Sequence, residues 1–408
     1  MKILLATYWL LPHVGGVWTY MKGLKRGLEQ LGHEVDILAR DPDDRHYYLL
    51  NKHKGVPKES IVEPVRQLVR DHYKKHLPHV GNWIIEQEVE RNSFELAALY
   101  FGLKPYDLIH TQDAISTRAL WRVKPSATPL VATIHGCLAA EYLTFLGTKS
   151  PPNDIVWAYT VAREYYGSTS SHLTICPTHW LKNMLADDYR VPSEHLRVIP
   201  YGLDIDKFKQ RMEQGPTVDR PMDRWVLACP ARLDVVKGHR VLLDALAELK
   251  RDRTDWVCWL IGGGNQRDAL AKQAEQLGLS DHLVFWGDRP DVPSLLNQAD
   301  IFVLPSLTDN QPYAIMEAQI AGKPVIVSDT GGIPEMVEQY ETGILAKTGE
   351  SHPLYQNLKD VMDNHVLRLY LVEKAKEFAE TQWSLSTMTE RTLEVYRDVM
   401  MGGGEQDG

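Results

Sequence analysis

Two stretches of the sequence carry residue types at spacings suited to holding a charged, hydroxylated small molecule. In Ala231-Arg232-Leu233-Asp234-Val235-Val236-Lys237-Gly238, two cations stand five positions apart. An Arg grips a phosphate by two parallel hydrogen bonds and a Lys adds a compact positive charge, so the pair fits a nucleotide diphosphate. In Asp309-Asn310-Gln311-Pro312-Tyr313-Ala314-Ile315-Met316-Glu317, two carboxylates are separated by seven residues. Acids so placed can accept hydrogen bonds from two groups of hydroxyls on one ligand, such as a hexose and a ribose. Taken singly, the cations also read as loop charges, Asp309 as a turn residue and Glu317 as a helical surface glutamate. Gly15-Gly16-Val17 lets backbone approach a ligand closely and opens a helix whose N-terminus favours phosphate, although a tight turn alone would also need glycine. His135 precedes Gly136 at a strand end, and His110 is its rival at another.

These residues need strand ends and helix starts to hold them. Ile3–Thr7 reads as a buried strand, Val17–Leu31 as a helix closed by Gly32, and Glu34–Ala39 as a second strand. Further strands are expected at 108–110, 130–133, 173–177 and 197–200. A second series follows at 225–231, 256–261, 283–285, 301–304 and 325–327. Helices between most of them imply parallel sheets covered on both faces, an α/β class. Arg232 and Lys237 follow the first strand of the second series, before the helix Val241–Lys250. Asp309 lies in the loop after Ile301–Leu304, before a helix expected to start at Pro312, capped by Asn310 or Gln311, and to stop at Gly322. Glu317 then sits more than a turn inside that helix. Asp41–Leu103 is the least regular part, with helices expected around 62–75 and 83–99.

With 408 residues the chain exceeds one typical core, and two domains of about 200 residues each are expected. Their boundary should fall near Gly202 to Pro221, which mixes charges, Gly215 and Pro216 and lacks periodicity. The net charge of −9 is uneven: residues 1–203 carry 23 Lys+Arg against 21 Asp+Glu, and residues 204–408 carry 22 against 33. An acidic second half argues against nucleic-acid binding. Cys137, Cys176, Cys229 and Cys258 form no metal-ligand spacing, so buried free thiols in a reducing cytoplasm are expected. The apolar start is short and runs into Pro12-His13-Val14-Gly15-Gly16 without a small-residue cleavage site, which fits a first strand better than a signal peptide. No stretch of about 18 apolar residues exists to span a membrane. The glycine-rich tail 402–408 is expected to fray.

The order of these motifs resembles the family-four glycosyltransferases of the GT-B fold. Val198-Ile199-Pro200-Tyr201-Gly202-Leu203-Asp204 is similar to that family's domain-joining segment. Arg232 and Lys237 match its diphosphate-binding cations, and Asp309 and Glu317 its pair of acids. Gly331-Gly332-Ile333-Pro334-Glu335 and Thr342-Gly343-Ile344-Leu345 match its closing strand–loop elements. The first half matches mainly at Gly15-Gly16 and His135-Gly136. The resemblance implies two Rossmann-like domains whose parallel sheets face an interdomain cleft: 1–203 for the acceptor, 204–384 for the nucleotide sugar, and a helix from 385 crossing back to the first. It implies that the first acid binds donor-sugar hydroxyls and the second the ribose, with Asn310, Tyr313 and Ala314 beside them. Gly287-Asp288-Arg289 should edge the nucleobase pocket, largely by backbone contacts, and His135 should lie near the donor's anomeric carbon. Asp309 stands where Glu is commoner and reaches one methylene less far. Pro312 stands where many relatives have Gly, and offers no N–H.

The implied activity is transfer of a hexose or N-acetylhexosamine, with retention, from a UDP- or GDP-sugar to a hydroxyl acceptor of unidentified class. No cofactor or metal is expected, because Arg232, Lys237 and helix-end N–H groups can neutralise the leaving diphosphate. With no convincing pair of carboxylates for double displacement, a front-face attack is favoured. Asp204-Ile205-Asp206 looks like a DXD metal motif but lies in the interdomain connection, and Pro78 interrupts the spacing of His72, His76 and His79. Residues 52–75 hold seven Lys/Arg against three acids, either a solvated basic face or a peripheral contact with anionic lipid or a phosphorylated acceptor. Alternatives are a GT-B sugar phosphorylase, an epimerase, or a non-catalytic nucleotide-sugar-binding subunit.

Overall fold

Alternating apolar strands and amphipathic helices produce two parallel-sheet units in a computed structural model that describes residues 1–13, 15–146, 152, 154–215 and 218–402. Residues Met1–Pro200 and the chain from Ser386 form one unit, and Tyr201–Leu385 the other. Pro216, within the expected interdomain stretch, and tail residues 403–408 lie outside the described residues.

The first unit is built on eight strands: β1 Lys2–Leu10, β2 Glu34–Arg40, β3 His46–Leu49, β4 Lys54–Pro57, β5 Leu108–Thr111, β6 Leu130–Thr133, β7 Leu173–Cys176 and β8 Leu196–Val198. Their spatial order is β4-β3-β2-β1-β5-β6-β7-β8. The six strands from β2 to β8 through β1 pair in parallel, and their residues are almost all buried, because helices cover both faces. β3 and β4 are antiparallel additions at one edge. They are what the reading of Asp41–Leu103 as the least regular part did not foresee: this segment folds as a hairpin followed by the two expected helices, at Lys58–His76 and Asn82–Phe101. Asp41 accepts backbone hydrogen bonds from Arg45 and His46 and so closes the turn that starts the hairpin. The helix Gly16–Gln30 follows β1, and Leu385–Gly402 ends the described chain.

The second unit holds β9 Trp225–Pro230, β10 Trp256–Ile261, β11 Leu283–Gly287, β12 Ile301–Leu304, β13 Val325–Ser328 and β14 Ile344–Ala346, in the order β11-β10-β9-β12-β13-β14, all parallel. Trp256 and Trp259 on β10 are the largest fully buried side chains. The helix expected to begin at Pro312 runs instead from Tyr313 to Ile320. Pro312 occupies the cap position in extended backbone, and its own side chain makes no capping hydrogen bond. Gln311 is drawn away from capping because its Oε1 accepts a hydrogen bond from the Tyr201 N–H at 2.7 Å.

Candidate functional site

Each sheet has one place where successive strands depart in opposite directions. In the second unit the chain leaves β9 for β10 and β11 on one side and β12 to β14 on the other. Side chains following β9 and β12 therefore flank the crevice at which open α/β sheets bind ligands. Arg232 and Lys237 follow β9, and Asp309 follows β12.

The structure brings Lys237 and Asp309 together: the ammonium lies 2.6 Å from Asp309 Oδ2, with both side chains largely shielded. Ser306 Oγ also donates to Oδ2 at 3.2 Å, and the Asn310 N–H donates to Oδ1 at 3.1 Å. Asp309 is thus a charged acceptor held rigidly by a cation, a hydroxyl and its own following amide. Arg232 is exposed and pairs with Asp234 at 3.1 Å. Its guanidinium projects where an incoming anion can reach it. Asn310 and Tyr313 are buried, and the Tyr313 ring stacks flat on Tyr201, centroids 5.2 Å apart. Ala314 is in the first turn of the helix, where backbone N–H groups lack intrahelical partners.

Glu317 lies in the second turn of that helix and is partly buried. Burial pushes its carboxyl up to about 7, against a smaller opposing pull from Arg211. A carboxylate whose charge is left this poorly solvated gains from hydroxyl donors brought by a ligand.

Gly287 ends β11, and the Asp288 carboxylate accepts the Gly263 N–H at 2.7 Å. Arg289 makes a two-pronged pair with Asp291, at 2.8 and 2.7 Å. Sequence reasoning passed over Gly262-Gly263-Gly264 after β10. Gly262 and Gly264 have φ of +147° and +152°, and a Cβ on either would fall 2.3 and 2.5 Å from the carbonyl oxygens of Ala231 and Leu233. These glycines bring the loop after β10 hard against the Arg232 loop. Three consecutive glycines after an apolar strand were the available signal.

Gly331 supports the acid in the same way. Its φ is +60°, and a Cβ would lie 1.8 Å from the Asp309 carbonyl oxygen, while Gly332 N–H donates to that oxygen at 3.1 Å. Gly331→Ala is therefore expected to displace the Asp309 backbone. It should lower the melting temperature by at least about 3 °C, read by thermal shift.

In the first unit the switch lies at β1, between β2 and β5. Gly15 is extended backbone capping the helix Gly16–Gln30, of which Gly16 is the first residue. His135 lies just past β6. Its Nε2 is 3.2 Å from Gln112 Oε1, and Gln112 Nε2 donates to the His110 carbonyl at 3.4 Å. That arrangement points the Gln112 oxygen at His135, so His135 Nε2 carries the hydrogen. Burial drives His135 down to about 3, and the ring is neutral. The Tyr20 ring meets it edge-on at 4.9 Å. Gln112 and Tyr20 were not anticipated from sequence. The rival, His110, is wholly buried and also held near 3, by burial and then by His135.

Among the described residues no group of three or more His, Cys, Asp or Glu is placed to hold a metal. Asp204 caps the helix Ile205–Glu213 by accepting the Lys207 N–H at 3.1 Å. The four cysteines are free and buried. In the basic stretch 52–75, Lys52, Lys58, Arg66 and Arg70 are paired with Asp36, Asp44, Glu63 and Glu86. Much of its charge is therefore neutralised locally. Among the described residues no helix is long and apolar enough to cross a membrane.

Two parallel α/β sheets in one chain, each gathering polar side chains beyond the carboxyl ends of its switch-point strands, form the architecture of the GT-B glycosyltransferases. The sequence profile "Glycosyltransferase Family 4" matches residues 14–207, and "Glycosyl transferases group 1" matches residues 211–378. The chain belongs to the family-four GT-B glycosyltransferases. It is 27% identical over 413 residues to an uncharacterized glycosyltransferase of Methanocaldococcus jannaschii, covering 98% of this chain and 99% of that protein. It is 26% identical over 408 residues to the D-inositol 3-phosphate glycosyltransferase of Corynebacterium glutamicum, covering 95% and 92%. Among solved structures, Anabaena HepE in complex with UDP-glucose is similar, with a TM-score of 0.68, 20% identity, and coverage of 98% and 100%. That last likeness concerns the fold.

Proposed function

We propose that this glycosyltransferase moves a hexose or N-acetylhexosamine, with retention, from a nucleotide diphosphate sugar to an acceptor hydroxyl. The observation that carries the reading is the Lys237–Asp309 pair across the β9–β12 switch, with Glu317 in the adjoining helix. A cation for phosphate and an acid for hydroxyls meet at the crevice of the second unit, and a second acid stands in the helix that follows Asp309. In this reading Arg232 and Lys237 take the diphosphate, Asp309 the sugar hydroxyls and Glu317 the ribose. Tyr313 and Ala314 offer the helix-start amides, Asn310 adjoins them, and Gly287, Asp288 and Arg289 border the base. UDP is favoured over GDP, in keeping with the UDP-glucose bound by HepE.

The bond from the anomeric carbon to the diphosphate oxygen breaks while a bond to the acceptor oxygen forms on the same face. The acceptor's proton passes to the leaving phosphate oxygen, so the charges balance without an added base. Arg232 and Lys237 meet the developing negative charge, and no metal is needed for that purpose. Gly15 and Gly16 give close backbone approach. His135 is neutral, so it supports the cationic sugar through its carbonyl, not as an acid. Free buried thiols fit a cytoplasmic setting.

The test screens UDP- and GDP-sugars by thermal shift, followed by NMR of the product's anomeric centre. D-inositol 3-phosphate, named for the corynebacterial relative, is the first acceptor to assay. Expected are stabilisation by a UDP-sugar, an unchanged anomer and turnover in EDTA. An inverted product, or turnover only with orthophosphate, would replace this reading by another.

A further inference from the structure

The first unit contains a continuous run of buried polar contacts that the catalytic reading does not use. It begins on the last helix, Leu385–Gly402, where Thr392 Oγ1 donates to the Met388 carbonyl at 2.8 Å. Thr392 also hydrogen-bonds the Tyr20 hydroxyl. Tyr20 Oη is 3.2 Å from Thr133 Oγ1, and Thr133 Oγ1 is 2.7 Å from His110 Nε2. His110 Nδ1 is 2.6 Å from the hydroxyl of Tyr396, one turn further along the same helix. All five side chains are buried.

A carbonyl can only accept, and this fixes the direction of every bond in the run. With its proton given to Met388, Thr392 must accept from Tyr20. Tyr20 then accepts from Thr133, Thr133 accepts from His110 Nε2–H, and His110 Nδ1 accepts from Tyr396. The result requires His110 to be neutral with its hydrogen on Nε2, which agrees with burial holding it near 3. No donor in the sequence of bonds is left over.

The run ends beside His135 from two directions. Thr133 is two residues before it on the chain, and the Tyr20 ring abuts its imidazole edge-on. His110 is joined to it through Gln112, which bonds both the His110 carbonyl and the His135 ring. We infer that Tyr20 and Tyr396 are positioning residues for His135, and that the last helix sets the imidazole's place through them. The inference rests on the proposed role of His135 in transfer. Neither tyrosine touches the substrate in this account; each removes freedom from a group that does. A displacement of about 1 Å in such a group is enough to slow chemistry by up to about a hundredfold.

The experiment combines Tyr20→Phe and Tyr396→Phe, each alone and together with His135→Ala. Phe keeps the ring and removes only the hydroxyl. Expected is a fall in kcat of about tenfold for each single variant, with the donor's KM and the UDP dissociation constant within about twofold of wild type. Neither change should add to the loss caused by His135→Ala. An unchanged kcat in both tyrosine variants, or losses that multiply with that of His135→Ala, would overturn the inference. A wild-type kcat in His135→Ala alone would instead remove the catalytic reading. Nitrogen-15 NMR of the histidines gives an answer independent of turnover: Tyr396→Phe should move both the His110 and His135 ring resonances. Unmoved His135 resonances overturn the positioning role. Thr392→Val serves as the second variant if Tyr396→Phe does not fold.

Discussion

Lys237→Ala is expected to lower kcat with a nucleotide-sugar donor by about a hundred- to a thousandfold, the usual loss when one preorganised charge donor is taken from a transition state. Two effects act in the same direction. The leaving diphosphate loses a cation as its charge grows, and Asp309, 2.6 Å away, loses its partner. The Asp309 side chain is only 14% exposed, so its uncompensated charge is poorly solvated and the loop carrying it should shift. Asp309→Asn should relieve that second effect without restoring the first. The double variant is expected to be less impaired than the product of the single losses, because the two groups are in contact. Steady-state kinetics with calorimetric UDP binding checks both statements. Near-normal turnover in Lys237→Ala would take the diphosphate away from this crevice.

Glu317→Gln is expected to abolish a pH dependence of nucleotide binding that wild type should show strongly. Burial raises the folded-state carboxyl from an ordinary 4.5 to about 7. Ribose hydroxyls donate best to the ionised form, so UDP affinity should fall by about tenfold per pH unit below 7 and level off above it. The stability of the unliganded fold moves oppositely. Its pKa is raised on folding, so the unfolded chain loses the proton first as pH rises. The neutral carboxyl's contribution is complete below about 4.5 and is lost as pH climbs to about 7. Ligand affinity and unliganded stability therefore run in contrary directions across the same window. In Glu317→Gln both curves should be flat in that range, with affinity held low. Calorimetric titration and thermal melts from about pH 5 to 8 decide it. A wild-type affinity that does not change across the window would separate Glu317 from the ribose.

The central strands were legible because helices bury both faces, which turns each into an unbroken apolar run such as Trp256–Ile261. β3 and β4 were not legible. Each has four residues, and His46–Leu49 alternates a charged or aromatic face with buried Tyr47 and Leu49 over too short a span to establish a period. The spacing of Arg232, Lys237, Asp309 and Glu317 stands in the sequence. The contact between Lys237 and Asp309 does not, because it joins loops 72 positions apart through the adjacency of β9 and β12. Gln311 looked like a helix cap because its amide suits one. Only the folded chain shows that the Tyr201 N–H claims it. Tyr396 lies 286 positions from His110, and no local pattern links them.

The last helix completes a unit whose other two hundred residues precede the entire second sheet in the chain. A ribosome therefore delivers Tyr201–Leu385, all contiguous, before it delivers Thr392 and Tyr396. During synthesis the earlier-made half must wait, with Tyr20 and His110 lacking their partners on the last helix, while the later-made half can already close its core. A nascent chain stalled before Thr392 has emerged would hold one finished lobe and one vulnerable to proteases, the reverse of the order in which they were translated.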